Sequence, residues 1–515
     1  MARTMFPRAL TLLVICFGFV LAGCKASNLG KETWYQVETE NFRIVTNGDP
    51  DAVRTMASDL ERYRAVALQL LDAQQDSQKL TIYAAADRRS YAGLVGEELA
   101  QVTNGLFDTT AQGSYALVNL DGRSGKRQLQ AREFLFHEYT HFLSYNGNTT
   151  HYPYWYSEGF AEFMSTMTFT PDGRYQLGGI PKERAMTLLF TSPMPLEKLL
   201  RATVFNTDGD EKAQVYASGW MLAHWLIMKS GKVEQFKDYV KEYNRGADPV
   251  RALEKSFGMS VADINKEYEA MFESGNFDLA GAPIPADFRE ARPKVTQLSP
   301  RNAVAEIGHF LVMSGYNIDG LLGLLQYAHL AGVDSPQLTA VQADAETHIG
   351  NFERADQLLA SIPAQYRSEI WYKNVQAWLG LNRQVNRPGE ARSRDDLKKV
   401  RDQFVYLVNN DSDTASHWFG LAMSMEMLDY PRDKYVEMLE QAYLRAPRQV
   451  HIAQWLAREL YEQKDAEFFA HVAQPLMLEL DDEEEYEQMK TMLAELQANP
   501  KTKGKAQTTL ARNEG

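Results

Sequence analysis

The stretch that decides the fold is QAREFLFHEYTHFLSY, residues 130–145, which contains His137, Glu138 and His141. It has no Gly or Pro, and its apolar residues recur at helical spacing, which predicts a helix buried on one side. On such a helix His137 and His141 project from the same face one turn apart, as two ligands of one metal ion must. Glu138 lies between them in angle, close enough to act on water at the metal without being a ligand. The pentapeptide HEYTH, residues 137–141, therefore predicts part of a metal site whose third ligand comes from elsewhere.

The next predicted helix supplies the candidate third ligand. After a loop at residues 147–153 comes WYSEGFAEFM, residues 155–164, in which Glu158 and Glu162 lie one turn apart on the same face. Two His and one carboxylate form a ligand set of catalytic zinc sites, which leave one position open for water. A solvent-exposed helix also carries Glu at such positions. The aromatic run before the pair, in the first helix after the pentapeptide, favours a ligand role for Glu158.

The phrases HEYTH and WYSEG, in this order and at this separation, resemble the gluzincin metallopeptidases. The pattern is closest to the peptidase MA-like group and more distantly similar to the aminopeptidase N family. The resemblance covers residues 34–275 and implies an α+β zincin-type catalytic domain, with a small mixed sheet plus helices. It also implies that His137, His141 and Glu158 bind Zn²⁺ and that Glu138 is the general base.

The same resemblance implies roles for two further residues. Glu162 is similar to the carboxylate that orients a zinc-bound His through its other ring nitrogen in thermolysin-like enzymes. VYASG, residues 215–219, resembles a Val-Tyr-x-x-Gly phrase of the aminopeptidases, which implies that Tyr216 donates to the oxyanion; a core aromatic residue is the alternative. The Gly-x-Met-Glu-Asn signature of those aminopeptidases, whose Glu binds the substrate amino group, is absent from residues 34–136. An endopeptidase is therefore expected.

The chain before the pentapeptide mixes strand and helix patterns. Three strands are predicted, at residues 42–46, 80–84 and 114–119. Pro50 begins an amphipathic helix that is expected to end at about residue 73. Gly105 and Gly113 bracket a predicted turn before the third strand. That strand is either an edge that could pair with an extended peptide or a buried central strand.

The N-terminus has the pattern of an export signal. An apolar run, too short to span a membrane comfortably, ends in LAGC at residues 21–24. This resembles a bacterial lipobox and implies a lipoprotein signal peptide at residues 1–23 and lipidation of Cys24, with a plain membrane anchor as the alternative. Residues 24–33 would be a tether. By resemblance to Gram-negative lipoproteins, Lys25 favours a lipid anchor in the outer membrane, facing the periplasm.

Composition sets limits on the class of protein. A chain of 515 residues is long enough for two or three domains, and its hydrophobic fraction of 44% and charged fraction of 24% are those of globular proteins. The net charge of −14, without clustered Lys and Arg, argues against nucleic acid as a partner. Cys16 lies in the predicted signal peptide, so the mature chain would have no pair of Cys for an intramolecular disulfide.

The C-terminal half has a different pattern from the rest. Residues 276–299 contain several Pro and little periodicity, which predicts a linker. Residues 300–497 are expected to form an all-α helical-repeat (TPR-like) domain, because GNFERA at 350–355 and LDY at 428–430 resemble turns of tetratricopeptide repeats. A plain helical bundle is the alternative. Residues 498–515 are polar and are expected to be a disordered tail.

Two functions from different classes follow. The first is a membrane-anchored, zinc-dependent peptidase of the cell envelope, with a protein or peptide substrate and a protein partner bound by the helical repeats. The second is an envelope assembly or protein-interaction scaffold that acts through the repeats, with a structural or vestigial zinc domain. Glu138 favours the first, because a structural site needs no base. His151 and His224 are expected to be packed or solvent-facing and not to be metal ligands.

Overall fold

The computed structural model of the chain describes residues 28–71, 79–121, 125–145, 152–480 and 482–498. The predicted signal peptide, Cys24 and residues 499–515 of the predicted tail lie outside these ranges. Within them the protein is mixed α/β, with 22 α-helices and nine strands, and its C-terminal half is mostly helical. The coarse fold class predicted from the sequence is confirmed.

The nine strands form two sheets. The strands are β1 (Tyr35–Glu38), β2 (Phe42–Thr46), β3 (Leu80–Ala85), β4 (Gly105–Thr110), β5 (Gly113–Asn119), β6 (Thr168–Phe169), β7 (Arg174–Leu177), β8 (Ala280–Pro283) and β9 (Lys294–Gln297). The main sheet has the order β4-β5-β3-β2-β1-β9, and β6, β7 and β8 form a small second sheet. In the main sheet β2, β3 and β5 run parallel, and the remaining neighbours pair antiparallel.

Eleven helices lie before β8. They are α1 (Pro50–Leu71), α2 (Arg88–Val95), α3 (Glu97–Val102), α4 (Gly125–Tyr145), α5 (Tyr154–Ser165), α6 (Lys182–Thr191), α7 (Leu196–Leu200), α8 (Gly209–Met228), α9 (Val233–Asn244), α10 (Pro249–Phe257) and α11 (Val261–Ser274). The helices predicted from residue 50 and over residues 130–145 and 155–164 are therefore present, as α1, α4 and α5.

Eleven more helices follow β9. They are α12 (Pro300–Ser314), α13 (Ile318–Ala331), α14 (Pro336–His348), α15 (Phe352–Ser361), α16 (Ile370–Val385), α17 (Arg394–Asn410), α18 (Ala415–Met427), α19 (Arg432–Arg445), α20 (Val450–Gln463), α21 (Ala466–Glu479) and α22 (Glu483–Ala498). From α14 onward each helix packs on the next one in the chain. In the described part of the chain, we find no helix with the length and apolar character that a membrane crossing requires.

The main sheet is covered by helices on both faces because its strands alternate apolar side chains to each side. On one face, called the front face, Ile44, Ile82 and Ala116 belong to a core shared with α1 and α4. On the other, called the back face, side chains such as Tyr83 and Leu117 belong to a core shared with α2 and with α12–α14. The helix that carries the pentapeptide therefore lies under the front face.

The structure differs from two of the sequence predictions and decides between the two alternatives for the strand at 114–119. Residues 105–110, predicted as a turn, form β4, because the glycines at 105 and 113 flank a hairpin strand. The strand at 114–119 pairs on both sides and is central, so β4 is the edge. The segment 276–299, predicted as a linker, contains β8 and β9, which add to the second and the main sheet. Its Pro residues interrupt the chain between short strands.

Candidate metal centre

The two His of the pentapeptide face away from the sheet because the other side of α4 packs on α1, in the core under the front face. Tyr63 of α1 stacks on Phe136, with ring centroids 4.0 Å apart. The Tyr63 and Thr140 hydroxyls are 2.5 Å apart, and Thr140 also donates to the carbonyl oxygen of Phe136 at 2.7 Å. These contacts set the rotation of α4. His137 and His141 therefore point toward α5 and α8, and both are buried.

Two glycines bring α5 and α8 together at the site. A Cβ atom on Gly159 would overlap the carbonyl carbon of Gly219, and a Cβ atom on Gly219 would lie 2.5 Å from the Trp155 carbonyl oxygen. Only residues without side chains allow the two helices to approach this closely. The contact places Glu158 of α5 beside Tyr216 of α8.

His137, His141 and Glu158 come together as the sequence predicted. The two Nε2 atoms of the His are 3.1 Å apart, and each lies 3.4 Å from Oε2 of Glu158. Among the described residues, these three form the one group of His, Cys, Asp or Glu whose ligand atoms are close enough to hold a metal ion. The candidate site therefore takes one helix from beneath the sheet and one from the helical region.

The geometry fits a four-coordinate ion. Metal–ligand bonds of about 2.1 Å at tetrahedral angles hold the ligand atoms about 3.4 Å apart, which is close to the observed triangle of 3.1, 3.4 and 3.4 Å. Oε2 of Glu158 is buried, and it has no hydrogen-bond partner. A buried carboxylate oxygen in this state is costly unless a cation satisfies it. The residues present therefore fit a bound metal ion.

The outer nitrogens of both imidazoles contact side chains of α5. Nδ1 of His137 is 3.4 Å from Oε1 of Glu162, and Nδ1 of His141 is 3.4 Å from the Ser157 hydroxyl. Such contacts orient a ring so that its Nε2 faces the metal position. Glu162 lies where the sequence predicted. The contact of Ser157 was not predicted, although its position next to Glu158 places it on the same turn.

Arg184 of α6 is a site residue that the sequence analysis missed. Its guanidinium donates to Oε1 of Glu162 at 2.8 Å, and its Cζ lies 4.9 Å from the centre of the Tyr216 ring. The Tyr216 ring in turn lies parallel to that of His137, with centroids 6.1 Å apart. Arg184 therefore contacts both groups that flank His137. No helical or strand spacing relates Arg184 to Glu162, because β6 and β7 lie between α5 and α6 in the chain.

Charge is concentrated at the site. Burial opposes the charge on His137, but the nearby carboxylates of Glu158, Glu162 and Glu138 raise its pKa to about 9. Burial also opposes the charge on Glu158, yet the nearby imidazoles of His141 and His137 lower its pKa overall. Tyr216 lies within hydrogen-bonding reach of Glu158; burial, reinforced by that carboxylate, raises the pKa of Tyr216 well above its usual value.

The sequence predicts that His151 and His224 are not metal ligands, and the structure describes His224. His224 is fully buried, and its Nε2 lies 3.0 Å from the Asp278 carbonyl oxygen, so it is a packed His as predicted. His151 lies outside the described residues.

Comparison of the chain with protein-family models, with curated proteins and with solved structures finds no match.

Proposed function

We propose that this chain is a zinc-dependent peptidase, with endopeptidase activity and a zincin-type catalytic region. The observation that supports it best is the triangle of His137, His141 and Glu158 ligand atoms, next to a carboxylate, Glu138, that is outside the triangle. Glu138 follows His137 on α4 and is only partly buried, so water can reach it. A metal site that only stabilises the fold does not need a carboxylate such as Glu138 beside its three ligands.

Zinc is the ion that the ligand set and its surroundings favour. Three protein ligands, two imidazoles and one carboxylate, leave one coordination position open, as catalytic zinc sites do. Ferrous iron is bound by the same ligand types in oxygenases. An adjacent carboxylate base is what hydrolysis needs, and it favours zinc over iron.

The chain's own residues carry out the proton transfers in this proposal. A zinc ion held by the three ligands would supply Lewis acidity to water and to the scissile carbonyl. The Glu138 carboxylate accepts a proton from the attacking water and transfers it to the leaving amine. The Tyr216 hydroxyl donates a hydrogen bond to the oxyanion that forms at the carbonyl oxygen. Glu162 and Ser157 hold the imidazoles, and Arg184 holds Glu162 in place.

The Glu138→Gln variant tests the proposal directly. It should retain one zinc ion per chain and lose hydrolysis of an unstructured protein such as casein by at least about 100-fold, because the general base is removed. Zinc is measured by elemental analysis and hydrolysis by release of peptides. Glu273→Gln, on an exposed position of α11, is the matched control and should change neither quantity.

Two results would contradict the proposal. Full hydrolysis by Glu138→Gln would show that this carboxylate is not the base. Stoichiometric zinc in a protein with both His137→Ala and Glu158→Ala would show that the metal binds elsewhere.

The cell envelope is the proposed location, because LAGC at residues 21–24 resembles a lipobox. A Cys24→Ala protein should then fail to incorporate labelled palmitate.

We also propose that the helices from α12 onward are TPR-like. Supporting this, the phrase at 350–355 includes the turn between α14 and α15, and the phrase at 428–430 lies between α18 and α19.

A further inference from the structure

The last five helices, α18–α22, contact the half of the catalytic region that contains the main sheet. The amide nitrogen of Ser416, at the start of α18, donates to the Ala111 carbonyl oxygen in the β4–β5 turn at 2.5 Å. Cζ of Arg448, between α19 and α20, lies 5.3 Å from the centre of the Phe107 ring on β4. These helices therefore lie against the edge strand of the sheet.

The same helices also contact the other half of the catalytic region, which consists of α5–α11. The rings of Phe205, before α8, and Tyr486, on α22, have centroids 4.8 Å apart. Nε2 of Gln474 donates to the Asn244 carbonyl oxygen at the end of α9, at 3.3 Å. Ala111 and Phe205, one from each half, both pack against the single apolar core of α18–α22. We call α18–α22 the strap, because it connects the two halves.

The metal centre lies between the same two halves. His141 comes from the sheet half, and the Phe142 ring that follows it packs on Phe107, with centroids 6.1 Å apart. Glu158 comes from the helical half, where nearby Tyr156 packs on Phe236 of α9, with centroids 4.3 Å apart. Arg448 contacts Phe107 directly, and Gln474 contacts the end of α9. The strap thus contacts Phe107, which packs on the residue that follows His141, and the end of α9, the helix on which Tyr156 packs.

The position of β4 shows what the strap restricts. Among the described strands, β4 pairs only with β5, so its outer backbone groups take part in no strand pairing. Addition of a strand to such an edge is a common way to bind a peptide in extended form. The strap contacts this edge at Ala111 and Phe107. A polypeptide that adds to β4 therefore has to fit beside the strap, which leaves less room for a folded domain than for a single extended chain.

We propose that the strap limits the substrate to a single extended segment, that is, a short peptide or an unfolded stretch of protein, and excludes the loops of folded proteins. This rests on the proposed peptidase activity. Arg448 and Tyr486 hold the strap, one to each half, and neither side chain belongs to the catalytic machinery. Removing both side chains loosens the strap while leaving the metal centre intact.

The test uses the full chain and one cleavable sequence in two forms. One form is a free fluorogenic peptide, and the other is the same sequence in a surface loop of a stable folded protein. The wild type should cleave the free peptide and leave the loop intact. The double variant Arg448→Ala and Tyr486→Ala should raise the ratio of loop to peptide kcat/KM by at least about tenfold. The control double variant Arg458→Ala and Tyr406→Ala, at exposed positions away from the catalytic region, should leave the ratio unchanged.

Hydrogen exchange at β4 provides a second readout that needs no catalysis. Amides of residues 105–111 should exchange at least about tenfold faster in the Arg448→Ala and Tyr486→Ala protein, whereas those of β3 stay unchanged. Equal cleavage of loop and peptide by the wild type, or unchanged exchange in the variant, would overturn the strap. If the wild type cleaves neither substrate, the peptidase proposal fails, and the exchange result alone decides whether the strap covers β4.

Discussion

The two faces of the main sheet are covered by helices of different origin. On the front face, α1 and α4 directly follow the strands they pack against, since α1 comes after β2 and α4 after β5. On the back face, α12–α14 come from the distant C-terminal half of the chain and share a core with Tyr83 and Leu117. The front face holds the metal centre. The back face makes the first C-terminal helices part of the same fold.

Polar contacts on the back face strengthen this connection. Both terminal guanidinium nitrogens of Arg43 on β2, Nη1 and Nη2, donate to Glu306 of α12, at 2.8 and 2.6 Å, and the Tyr83 hydroxyl donates to the same carboxylate at 2.9 Å. The Tyr316 hydroxyl donates to Asp108 of β4 at 2.8 Å. The difference between the faces shows that the fold around the candidate metal centre includes β9 and α12–α14, beyond residue 275.

Removing the C-terminal helices should have the largest effect on stability, because it uncovers the back face of the main sheet. A chain of residues 28–275 lacks β9 and α12–α14, so it exposes several large side chains of the back face, each worth about 1.5–3 kcal/mol of burial. This loss approaches the whole stability of a typical domain, about 5–15 kcal/mol. We expect no cooperative thermal unfolding by calorimetry. Residues 28–363, which keep α12–α15, should unfold cooperatively. Similar transitions in both fragments would show that the back face folds without these helices.

Gly159→Ala should have the next largest effect, on the front side. The added Cβ would overlap the backbone of Gly219 and push α5 from α8, which we expect to cost about 2–3 kcal/mol of unfolding free energy and to weaken metal binding by displacing Glu158. Urea unfolding and metal titration measure the two effects. Gly209→Ala is the matched control, because its Cβ meets nothing within 4 Å. Equal stability of the two variants would contradict the proposed helix contact.

The same contrast explains which features could be predicted from the sequence. α4 and α5 are visible because a helical period with His or Glu at fixed spacing is a local pattern. Glu158 could be assigned because it lies in the next helix. β4 was missed because a short polar strand between two glycines has the composition of a turn. β9 was missed because four residues in a Pro-rich segment give little periodicity.

Contacts between distant residues could not be predicted in the same way. Arg43 and Glu306 are 263 positions apart, and each alone is an ordinary charged residue. Arg184 lies 22 positions after Glu162, a distance with no helical or strand meaning. Such pairs are set by how the elements pack, and the packing depends on the whole chain. The contacts of the strap with the rest of the fold could not be predicted for the same reason, because they join residues that are far apart in the chain.

Arg184→Ala should weaken metal binding without unfolding the protein. Loss of the guanidinium frees Glu162, which contacts Nδ1 of His137, and changes to such outer partners weaken metal affinity by about 10- to 100-fold. Competition with a chelator measures the affinity. Lys182→Ala, an exposed cation on the same helix, is the control and should have no effect.

Arg184→Lys separates charge from geometry in the same assay. The ammonium keeps a cation beside Glu162 but cannot reproduce the contact of the planar guanidinium with the Tyr216 ring. We expect it to restore most of the metal affinity and less of kcat. An Arg184→Ala protein with unchanged metal affinity and kcat would show that Arg184 does not position the site.

Glu306→Gln should have the smallest effect, and only on the back face. Burial opposes the charge of Glu306, but the hydrogen bonds and charge of Arg43 lower its pKa overall. The carboxylate therefore adds stability that is fully present above its unfolded pKa of about 4.3 and is lost as the pH falls through the lower folded value. At pH 7 we expect the variant to lose about 1–2 kcal/mol of unfolding free energy, measured by urea unfolding.

The pH dependence and the metal centre distinguish this effect from a general loss of structure. The stability difference between wild type and Glu306→Gln should stay constant between about pH 6 and 8 and shrink as the pH falls from about 4.3, the unfolded pKa, through the lower folded pKa. Glu267→Gln, at an exposed position of α11, should show no difference at either pH. Metal affinity should be unchanged in Glu306→Gln, because the sheet separates this pair from the front face. A loss of affinity comparable to that of Arg184→Ala would mean that the two faces are coupled through the sheet.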